Sequence, residues 1–273
     1  MKYEERKPPK ELEPYVKCFW LLHREYDERD DEEVLWPDGC IEMIFHFGAS
    51  YQVKGKPMET SFLIGTLTHY HIIKAMGTIK LFGIRLKPWG LKYFKDLNVK
   101  ELKDGFIALK DVFRSDKVNQ LEQKLAHASF EEGLPHLESF LLKGLSHNEL
   151  DPVFLSTLEE IYEDPKGTDI QSVVEKSHYS KRQYERKCSD WTGLTPKKLS
   201  KVARFNQVRL RIFFDPDVDL HDCMYEFGYF DYAHFSKEFK ESLGLTPKEY
   251  QRWILDKANK PKEDVVFLHD EPE

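Results

Sequence analysis

Basic side chains near residue 185 are the part of this sequence best suited to contacting a ligand. Arg182 and Arg186 are four residues apart, so in a helix both guanidinium groups lie on one face. A guanidinium donates two parallel hydrogen bonds to O6 and N7 of guanine. The carboxylate of Glu185 can accept from a cytosine amine or hold a neighbouring arginine in place. Together with Lys181, these residues predict contacts to base edges of double-stranded DNA.

The charge distribution points to the same segment. The 273 residues include 41 Lys+Arg and 48 Asp+Glu, giving a net charge of −7 and a pI near 5.9, an average that argues against nucleic acid. Residues 176–211, however, contain 11 Lys or Arg against 2 Asp or Glu. Such a local excess is typical of a phosphate-facing surface, but a solvated helix face has the same composition, so charge alone leaves both interpretations open.

Composition excludes several other classes of protein. Hydrophobic residues at 40% and aromatic residues at 14% indicate a globular protein and exclude a disordered or fibrous chain. No apolar run approaches the ~18 residues of a membrane span, and the charged residues 1–14 are unlike a signal peptide. Four scattered cysteines without a C-x-x-C pair predict reduced thiols, so we expect a cytoplasmic protein without membrane contact.

An internal repeat organises the C-terminal third. The sequence GLTPK at residues 193–197 recurs at residues 244–248, an offset of 51. The match continues upstream at apolar positions that we expect to face inward, Tyr184 with Phe235 and Cys188 with Phe239. Each copy reads as a short helix, a tight turn and a second helix that begins after a capping residue, Ser180 or Asp231. This is the plan of a helix-turn-helix unit.

One long helix is predicted between the two copies, from Pro196 to Phe214. Apolar residues recur at three- and four-residue spacing from Leu199 to Ile212, and Asp215-Pro216 ends the pattern. Its first half carries four cations that can meet phosphates or serve solubility alone, Lys197, Lys198, Lys201 and Arg204. Two units spaced by one helix can enter two successive major-groove faces of a duplex.

The second unit is predicted to bind DNA more weakly than the first. Five residues of its second helix are expected to face outward and contact DNA, namely Tyr232, Ala233, His234, Ser236 and Lys237. Residues 217–257 contain 5 Lys or Arg against 9 Asp or Glu, so this part should bind phosphates less strongly. We expect the first unit to anchor the protein on DNA.

Two motifs in the second copy resemble the C-terminal signature of the AraC-type family of bacterial transcription regulators. They are GYFDYAHFSKEFK from Gly228 and GLTPKEY from Gly244, while the first copy resembles the signature more loosely. Cys188 and Met224 depart from the family, which usually has Phe and Ala at these positions. The resemblance covers roughly residues 166–254. It implies an all-α double helix-turn-helix domain that binds double-stranded DNA, with RNA polymerase as a further partner.

The N-terminal half also resembles a known domain. Three segments are similar to an uncharacterised domain found ahead of such DNA-binding domains: LWPDGCIEMIF from Leu35, FLIG from Phe62 and FGIRLKPWG from Phe82. The resemblance implies a sensing or dimerising role, with an unidentified small-molecule effector or a second copy of the chain as partner.

Alternation predicts strands in this half. Residues 41–47 alternate between two faces, residues 62–66 and 79–86 are further candidates, and Gly83 is a candidate bulge. Helices are expected from about residue 88 to 142. The fold class is therefore α+β and multidomain, with an N-terminal β-rich barrel or sandwich that is cupin-like by analogy.

Candidate metal and ligand residues in this half are few. Glu42 and His46 lie on one strand face but about 13 Å apart, too far to bind one ion directly. His69 and His71 are about 6.6 Å apart, which is compatible with shared ligation, but the glycine-spaced cupin pattern around such a pair is absent. We therefore predict no metal and no cofactor.

No catalytic residues are predicted, because the nucleophile-elbow, phosphate-loop and H-E-x-x-H motifs are missing from the sequence. A ligand pocket with Trp36, Glu42 and His46 as contacts is one interpretation of the aromatic residues, and a plain hydrophobic core is the other. A metal-binding or enzymatic N-terminal domain carried by a DNA-binding tail is the alternative function.

The predicted domain limits follow turn-rich and proline-rich segments. We assign residues 1–145 to the sensor or dimerisation domain and 146–165 to a linker. The linker contains a helix that begins at Pro152 after the capping residue Asp151. Residues 166–257 form the DNA-binding domain, and residues 258–273 form a flexible tail.

Overall fold

A computed structural model describes most of the chain. The described residues are 2–26, 32–49, 51–53, 56–58, 61–75, 77–145, 151–166, 168–258 and 264–265. Most of the predicted interdomain turn around residue 148 and most of the predicted tail lie outside them. Within the described residues, no helix combines the length and the apolar character that crossing a membrane requires.

The N-terminal half consists of two sheets. Its strands are β1 Lys2–Arg6, β2 Val16–Tyr26, β3 Glu32–Leu35, β4 Ile41–Gly48, β5 Tyr51–Val53, β6 Lys56–Pro57, β7 Ser61–Ile64, β8 His71–Ala75, β9 Gly77–Leu86 and β10 Phe106–Ala108. The larger sheet has the order β10-β7-β4-β9-β2-β1 and is extended by β11, Asp264–Val265, which pairs in parallel with β1. The smaller sheet has the order β3-β8-β5-β6.

The two sheets form a sandwich, and in the described residues they do not close into one barrel. One face of the larger sheet packs on the helices α1 Leu109–Val112, α2 Ser115–Leu125 and α3 Phe130–Gly144. The other face packs against the smaller sheet around Trp20, Ile44 and Phe62. This explains why β4, whose residues 41–47 alternate between two faces, is buried on both faces. The predicted β-rich domain with following helices is confirmed.

Gly83 is not a bulge. It pairs in register with Trp20 of β2 and Ile44 of β4, and the irregularity in β2 lies between Val16 and Cys18 instead. A Cβ atom at position 83 would lie 1.9 Å from Cε2 of Trp20, so the indole ring lies directly over the glycine. The glycine therefore allows the Trp20 side chain to lie close to the backbone of β9. A glycine within a strand pattern indicates either a bulge or such a close approach, and the sequence does not distinguish the two.

The C-terminal half is all-helical, as predicted. Its helices are α4 Pro152–Glu163, α5 Ile170–Lys176, α6 Lys181–Thr192, α7 Pro196–Phe214, α8 Leu220–Glu226, α9 Tyr232–Leu243 and α10 Pro247–Ala258. The long helix α7 has the predicted bounds, and α5–α6 and α8–α9 are the two helix-turn-helix units. The linker helix α4 begins at Pro152 with Asp151 as its cap, also as predicted.

Local side chains determine where the two second helices begin and end. Ser180 accepts from the backbone of Gln183 and Gln183 caps in return, while Asp231 accepts from the backbone N–H of His234. Gly193 and Gly244, which belong to the repeated motif, end the helices at φ 77° and 82°. This left-handed conformation is accessible to glycine at little cost, and the repeat therefore ends both helices in the same way.

The two helix-turn-helix units, although they are copies of one repeat, belong to different hydrophobic cores. The core on the helical face of the larger sheet continues through α4 into the first unit, where it includes Phe154, Tyr184 and Leu199. The second unit has a core of its own, which includes Phe205 and Phe235. The first unit is therefore packed as part of the N-terminal body, and the second unit is attached to it through α7.

Candidate DNA-binding surface

The first unit presents its predicted DNA-contacting residues to solvent. On α6, Lys181, Arg182, Glu185 and Arg186 are all exposed, whereas Tyr184 and Cys188 on the opposite side are buried. The Tyr184 hydroxyl donates to Oγ1 of Thr157 in α4 at 2.9 Å, which holds the helix against its support. Burial raises the pKa of the Cys188 thiol to about 12, so this cysteine remains a neutral packing residue.

The basic block of residues 176–211 contributes less surface charge than its composition indicates. Six of its cations already contact a carboxylate or an aromatic ring of the protein. Lys176 pairs with Glu160 at 2.8 Å and Arg211 with Asp215 at 2.7 Å. Lys187 lies over the rings of Tyr179 and Phe154, while Arg209 lies over the ring of Trp36. The other two, Lys201 and Arg204, pair with Glu238.

Five cations of the block have no carboxylate within 4 Å among the described residues, namely Lys181, Arg182, Arg186, Lys197 and Lys198. They lie on α6 and in the first turn of α7. Their guanidinium and ammonium groups are therefore available for phosphate or base contacts. We call this set the basic face. It is smaller than the sequence block and confined to the first unit and the start of the connecting helix.

The second unit exposes fewer charges. Ala233, His234 and Lys237 are exposed on α9, while Tyr232 and Ser236 are half-buried. The Tyr232 ring stacks on His221 of α8 with centroids 5.0 Å apart. Phe235 and Phe239 are buried, as predicted for the inward side.

Glu238 is a residue whose role sequence reasoning missed. Its carboxylate is 5% exposed and pairs with Arg204 at 2.8 Å and Lys201 at 3.0 Å, and it accepts from the Tyr229 hydroxyl at 2.7 Å. Burial alone would raise the pKa of Glu238, but the Tyr229 hydrogen bond and the two cations outweigh burial and lower it. Lys201 and Arg204, predicted to meet phosphates or solvent, instead tie the connecting helix to α9.

A second missed feature is an aromatic residue in the turn before α9. Phe230 is 94% exposed, and Tyr225 nearby in sequence is also largely exposed. An exposed aromatic ring beside a recognition helix has the chemistry to contact a thymine methyl group or a sugar. The repeat gave no signal of this exposure, because at the offset of 51 Phe230 aligns with another aromatic residue, the half-buried Tyr179.

The N-terminal domain contacts the C-terminal end of α6. Three pairs form this contact: Thr66 Oγ1 donates to the Thr192 carbonyl at 2.7 Å, Lys92 Nζ lies 3.0 Å from Asp190, and the rings of Tyr93 and Trp191 are 5.5 Å apart. The backbone also approaches closely, because a Cβ on Gly193 would lie 3.3 Å from the Val99 carbonyl oxygen. The first unit is thus fastened to the N-terminal domain at the end of its recognition helix.

The same domain contacts the second unit. A Cβ atom at Gly244 would lie 2.7 Å from Cζ of Tyr70, so the tyrosine ring covers the glycine that ends α9. Arg209 of α7 lies 4.4 Å from the ring centroid of Trp36. The segment 66–70, between β7 and β8, therefore contacts the C-terminal glycine turn of both recognition helices.

An open cavity of about 950 Å³ lies beside the basic face. Arg182, Glu185 and Arg186 of α6 line it together with Asn98 and Lys100 of the N-terminal domain. A duplex that contacts Arg182 and Arg186 must therefore fit beside the turn at residues 98–100.

Comparison with known proteins identifies the two halves. Residues 173–252 match the family described as a helix-turn-helix domain. The C-terminal region is an AraC-type helix-turn-helix domain. This AraC-type domain makes the chain a DNA-binding regulator of transcription. Residues 4–108 match a family described as a domain of unknown function, DUF6597, and no curated protein sequence matches the chain.

Solved structures give more distant likenesses. ToxT from Vibrio cholerae O395 is 11% identical, with 86% of this chain and 96% of that chain covered and a TM-score of 0.47. A P21 crystal form of ToxT from Vibrio cholerae is 10% identical, with 92% and 98% covered and a TM-score of 0.48. The AraC-like transcriptional activator CuxR is 12% identical, with 81% and 89% covered and a TM-score of 0.25. The assignment of the C-terminal domain rests on the match of residues 173–252.

The three predicted pocket residues have different surroundings. Trp36 packs against the core of the second AraC-type unit and under Arg209. His46 is buried and donates from Nε2 to the Ala49 carbonyl at 2.7 Å, and burial lowers its pKa despite this hydrogen bond. Glu42 accepts from Trp20 Nε1 at 2.8 Å and from Arg85 Nε at 2.6 Å. Among the described residues, no two of these three side chains contact each other directly.

Arg85 is the centre of a buried polar cluster that contains Glu42. Its guanidinium also lies 3.5 Å from Glu5 and 3.6 Å from Asp38. Burial opposes the charge of Arg85, but the nearby groups, Glu42 first and Asp38 among them, raise its pKa well above the ordinary value. Three carboxylates around one guanidinium connect β1, β4 and β9 across the larger sheet.

Proposed function

We propose that this protein is a sequence-specific double-stranded DNA-binding regulator whose two helix-turn-helix units enter successive major grooves. The observation that carries the proposal is the basic face, whose five cations have no carboxylate partner among the described residues; four of them are exposed and Lys198 is half-buried. Arg182 and Arg186 read guanine, Glu185 accepts from cytosine, and Lys181 contacts the backbone or a base. On α9, Tyr232, Ala233, His234, Ser236 and Lys237 contact the second groove.

The two units have unequal tasks in this proposal. The first unit holds the phosphates, because the basic face lies on it and on the adjoining first turn of α7, and Lys100 of the N-terminal domain adds a further exposed cation at the edge of this face. The second unit reads by shape and by apolar contact, since its nearest cations on α7 are bound to Glu238. Phe230 and Ala233 are suited to contacts with thymine methyl groups.

Control of DNA binding is assigned to the N-terminal domain. Residues 1–145 sense a small molecule or dimerise, residues 146–165 link the domains, and residues 166–257 bind DNA in the cytoplasm, where RNA polymerase is a further partner. The contacts of Thr66 and Tyr70 with the ends of α6 and α9 support this assignment, because a shift of segment 66–70 would act on both units at once. The proposal is of a binding protein and not of an enzyme.

Selection of DNA fragments by the purified full-length protein tests the proposal. We expect an enriched motif with two half-sites about one helical turn apart, near 10 base pairs. The R182A and R186A variants should relax selection within one half-site only, each with a loss of about 1–3 kcal/mol of discrimination. The exposed Lys124→Ala on α2, far from α6 in sequence, serves as a charge-matched control. Selection that enriches no motif at moderate salt refutes sequence-specific binding.

A further inference from the structure

We infer that His69, His71 and Asp104 form a binding site for one divalent transition-metal ion at the contact between the N-terminal domain and the DNA-binding units. One donor atom from each residue lies within 4.8 Å of the other two. The two histidines precede and begin β8, and Asp104 comes from the loop before β10. Asp104 is distant from both histidines in the chain, so the expectation of no metal, which came from the histidine pair alone, did not include this third ligand.

The donor spacing suits a small metal ion. Ligand atoms at about 2.1 Å from a tetrahedrally coordinated zinc ion lie about 3.4 Å from each other. His69 Nδ1 is 3.4 Å from Asp104 Oδ1, which already matches this spacing. The donor atom of His71 lies within 4.8 Å of the other two donors, so a side-chain movement of about 1–2 Å brings it to the same spacing.

The surroundings hold the carboxylate in a ligand orientation. Thr68 donates to Asp104 from its backbone N–H at 2.7 Å and from Oγ1 at 2.8 Å. Metal-binding carboxylates commonly have such supporting hydrogen bonds. Asp104 also has φ 55°, a left-handed conformation that is uncommon for a residue other than glycine. The backbone therefore accepts an unfavourable conformation at the residue that points a carboxylate toward the two histidines.

The donor set indicates the class of metal. Two imidazoles and one carboxylate suit zinc, nickel, cobalt or ferrous iron, while magnesium and calcium prefer oxygen ligands throughout. His71 is buried, Asp104 is 19% exposed and His69 is 47% exposed, so the site is open on one side. An ion can enter from solvent, and water can complete its coordination.

The position of the site connects it to both recognition helices. Tyr70, between the two histidines, covers Gly244 at the end of α9. Thr66, four residues before Tyr70, donates to the Thr192 carbonyl at the end of α6. A metal ion that links His69 and His71 to Asp104 therefore restrains the segment that contacts both units. This second step, in which metal binding alters DNA affinity, rests on the proposed function.

Metal titration of the full-length protein without DNA tests the site itself. After removal of metals with a chelator, we expect one equivalent of Zn²⁺ to bind by calorimetry, and Co²⁺ to give the visible absorption of a site with nitrogen ligands. H69A and D104N should each weaken Zn²⁺ binding by at least about 100-fold, and T68V by about 10- to 100-fold. H69A changes an exposed residue and D104N is nearly isosteric, so both should fold even if H71A does not.

A matched control is available in the second unit. His221 lies 3.7 Å from Asp219 and forms a histidine–aspartate pair without a second histidine among the described residues. H221A should leave the stoichiometry and affinity for Zn²⁺ unchanged. The proposed site is refuted if the wild-type protein does not bind Zn²⁺ stoichiometrically, or if H69A and D104N bind Zn²⁺ as tightly as the wild type.

DNA binding with and without Zn²⁺ tests the connection separately. We expect the dissociation constant for a selected fragment to change at least about fivefold on addition of Zn²⁺, a typical coupling between two sites. Y70A should retain Zn²⁺ binding and lose that change. If the affinity for DNA is the same in chelator and in Zn²⁺, the connection to DNA binding is refuted but the metal site is not. If DNA is not bound in either condition, the proposed function is refuted, and the Zn²⁺ titration still tests the metal site.

Discussion

Replacement of Glu238 by glutamine is the most informative single perturbation of this protein. Glutamine keeps the size of the side chain and an acceptor for the Tyr229 hydroxyl, and it removes the negative charge that faces Arg204 and Lys201. Because Glu238 is on α9 and the two cations are on α7, the change weakens the connection between the second recognition helix and the rest of the domain.

The magnitude follows from burial of the three groups. Removing one partner of a fully buried ion pair costs about 3–5 kcal/mol, because the other charge is left without compensation. Here Glu238 is 5% exposed, but Arg204 is 17% and Lys201 is 36% exposed, so water can partly solvate both cations after the change. We therefore expect the free energy of unfolding of the second unit to fall by about 2–3 kcal/mol.

Native-state hydrogen exchange of the α9 backbone amides measures this unit by itself, which matters because the core around Phe205 and Phe235 is separate from the core that continues from the N-terminal half into the first unit. E241Q, an exposed glutamate on the same helix, is the control and should change stability by less than about 0.5 kcal/mol. If E238Q also changes the protection of α9 by less than about 0.5 kcal/mol, the charge network does not stabilise the second unit.

The same substitution has a defined pH dependence. The pKa of Glu238 is lowered in the folded protein from the ordinary value of 4.5, so its ionised form stabilises the fold above that pH. The difference in stability between wild type and E238Q should be constant around neutral pH and should shrink as the pH falls below 4.5 through the folded pKa. A difference that grows with acidification contradicts this assignment of charge.

Three further outcomes are expected. R186A should lower the slope of log affinity against log salt by about 0.9 and K237A by less, and equal reductions would contradict anchoring by the first unit. Thr66→Val should cost about 1–3 kcal/mol in urea unfolding, since it leaves the buried Thr192 carbonyl without its donor, whereas exposed Thr78→Val should cost little. Burial raises the pKa of three thiols to about 12, so Ellman's reagent should label the four buried cysteines only on unfolding.

Local regularities made much of the C-terminal half predictable. The limits of α7, the caps Ser180 and Asp231 and the buried residues Tyr184 and Phe235 follow from side chains within a few positions of each other. Such features depend on helix periodicity and capping, which are properties of a short segment. The repeat then predicted two units of the same plan, because the same motif ends both recognition helices at a glycine.

Long-range pairing was not predictable in the same way. The sequence has no local signal that joins Asp104 to His69 or Trp36 to Arg209, since residues far apart in the chain meet only after the sheets and helices have packed. Glu238 likewise looked like a surface charge, because its helical position is next to outward residues and its partners lie on another helix. The two-sided burial of β4 depended on a second sheet that alternation within one strand does not reveal.

The sequence by itself therefore determined the helix-turn-helix plan, the connecting helix and the outward positions of α6, because periodicity, capping residues and a repeated motif specify these locally. Only the tertiary structure decided which cations face solvent. Of the residues counted in the basic block, four are engaged by carboxylates within the C-terminal half, namely Lys176, Lys201, Arg204 and Arg211, and five other cations form the basic face. The physical reason is that a count adds charges along the chain, while the field at a surface depends on which charges are paired and buried in three dimensions.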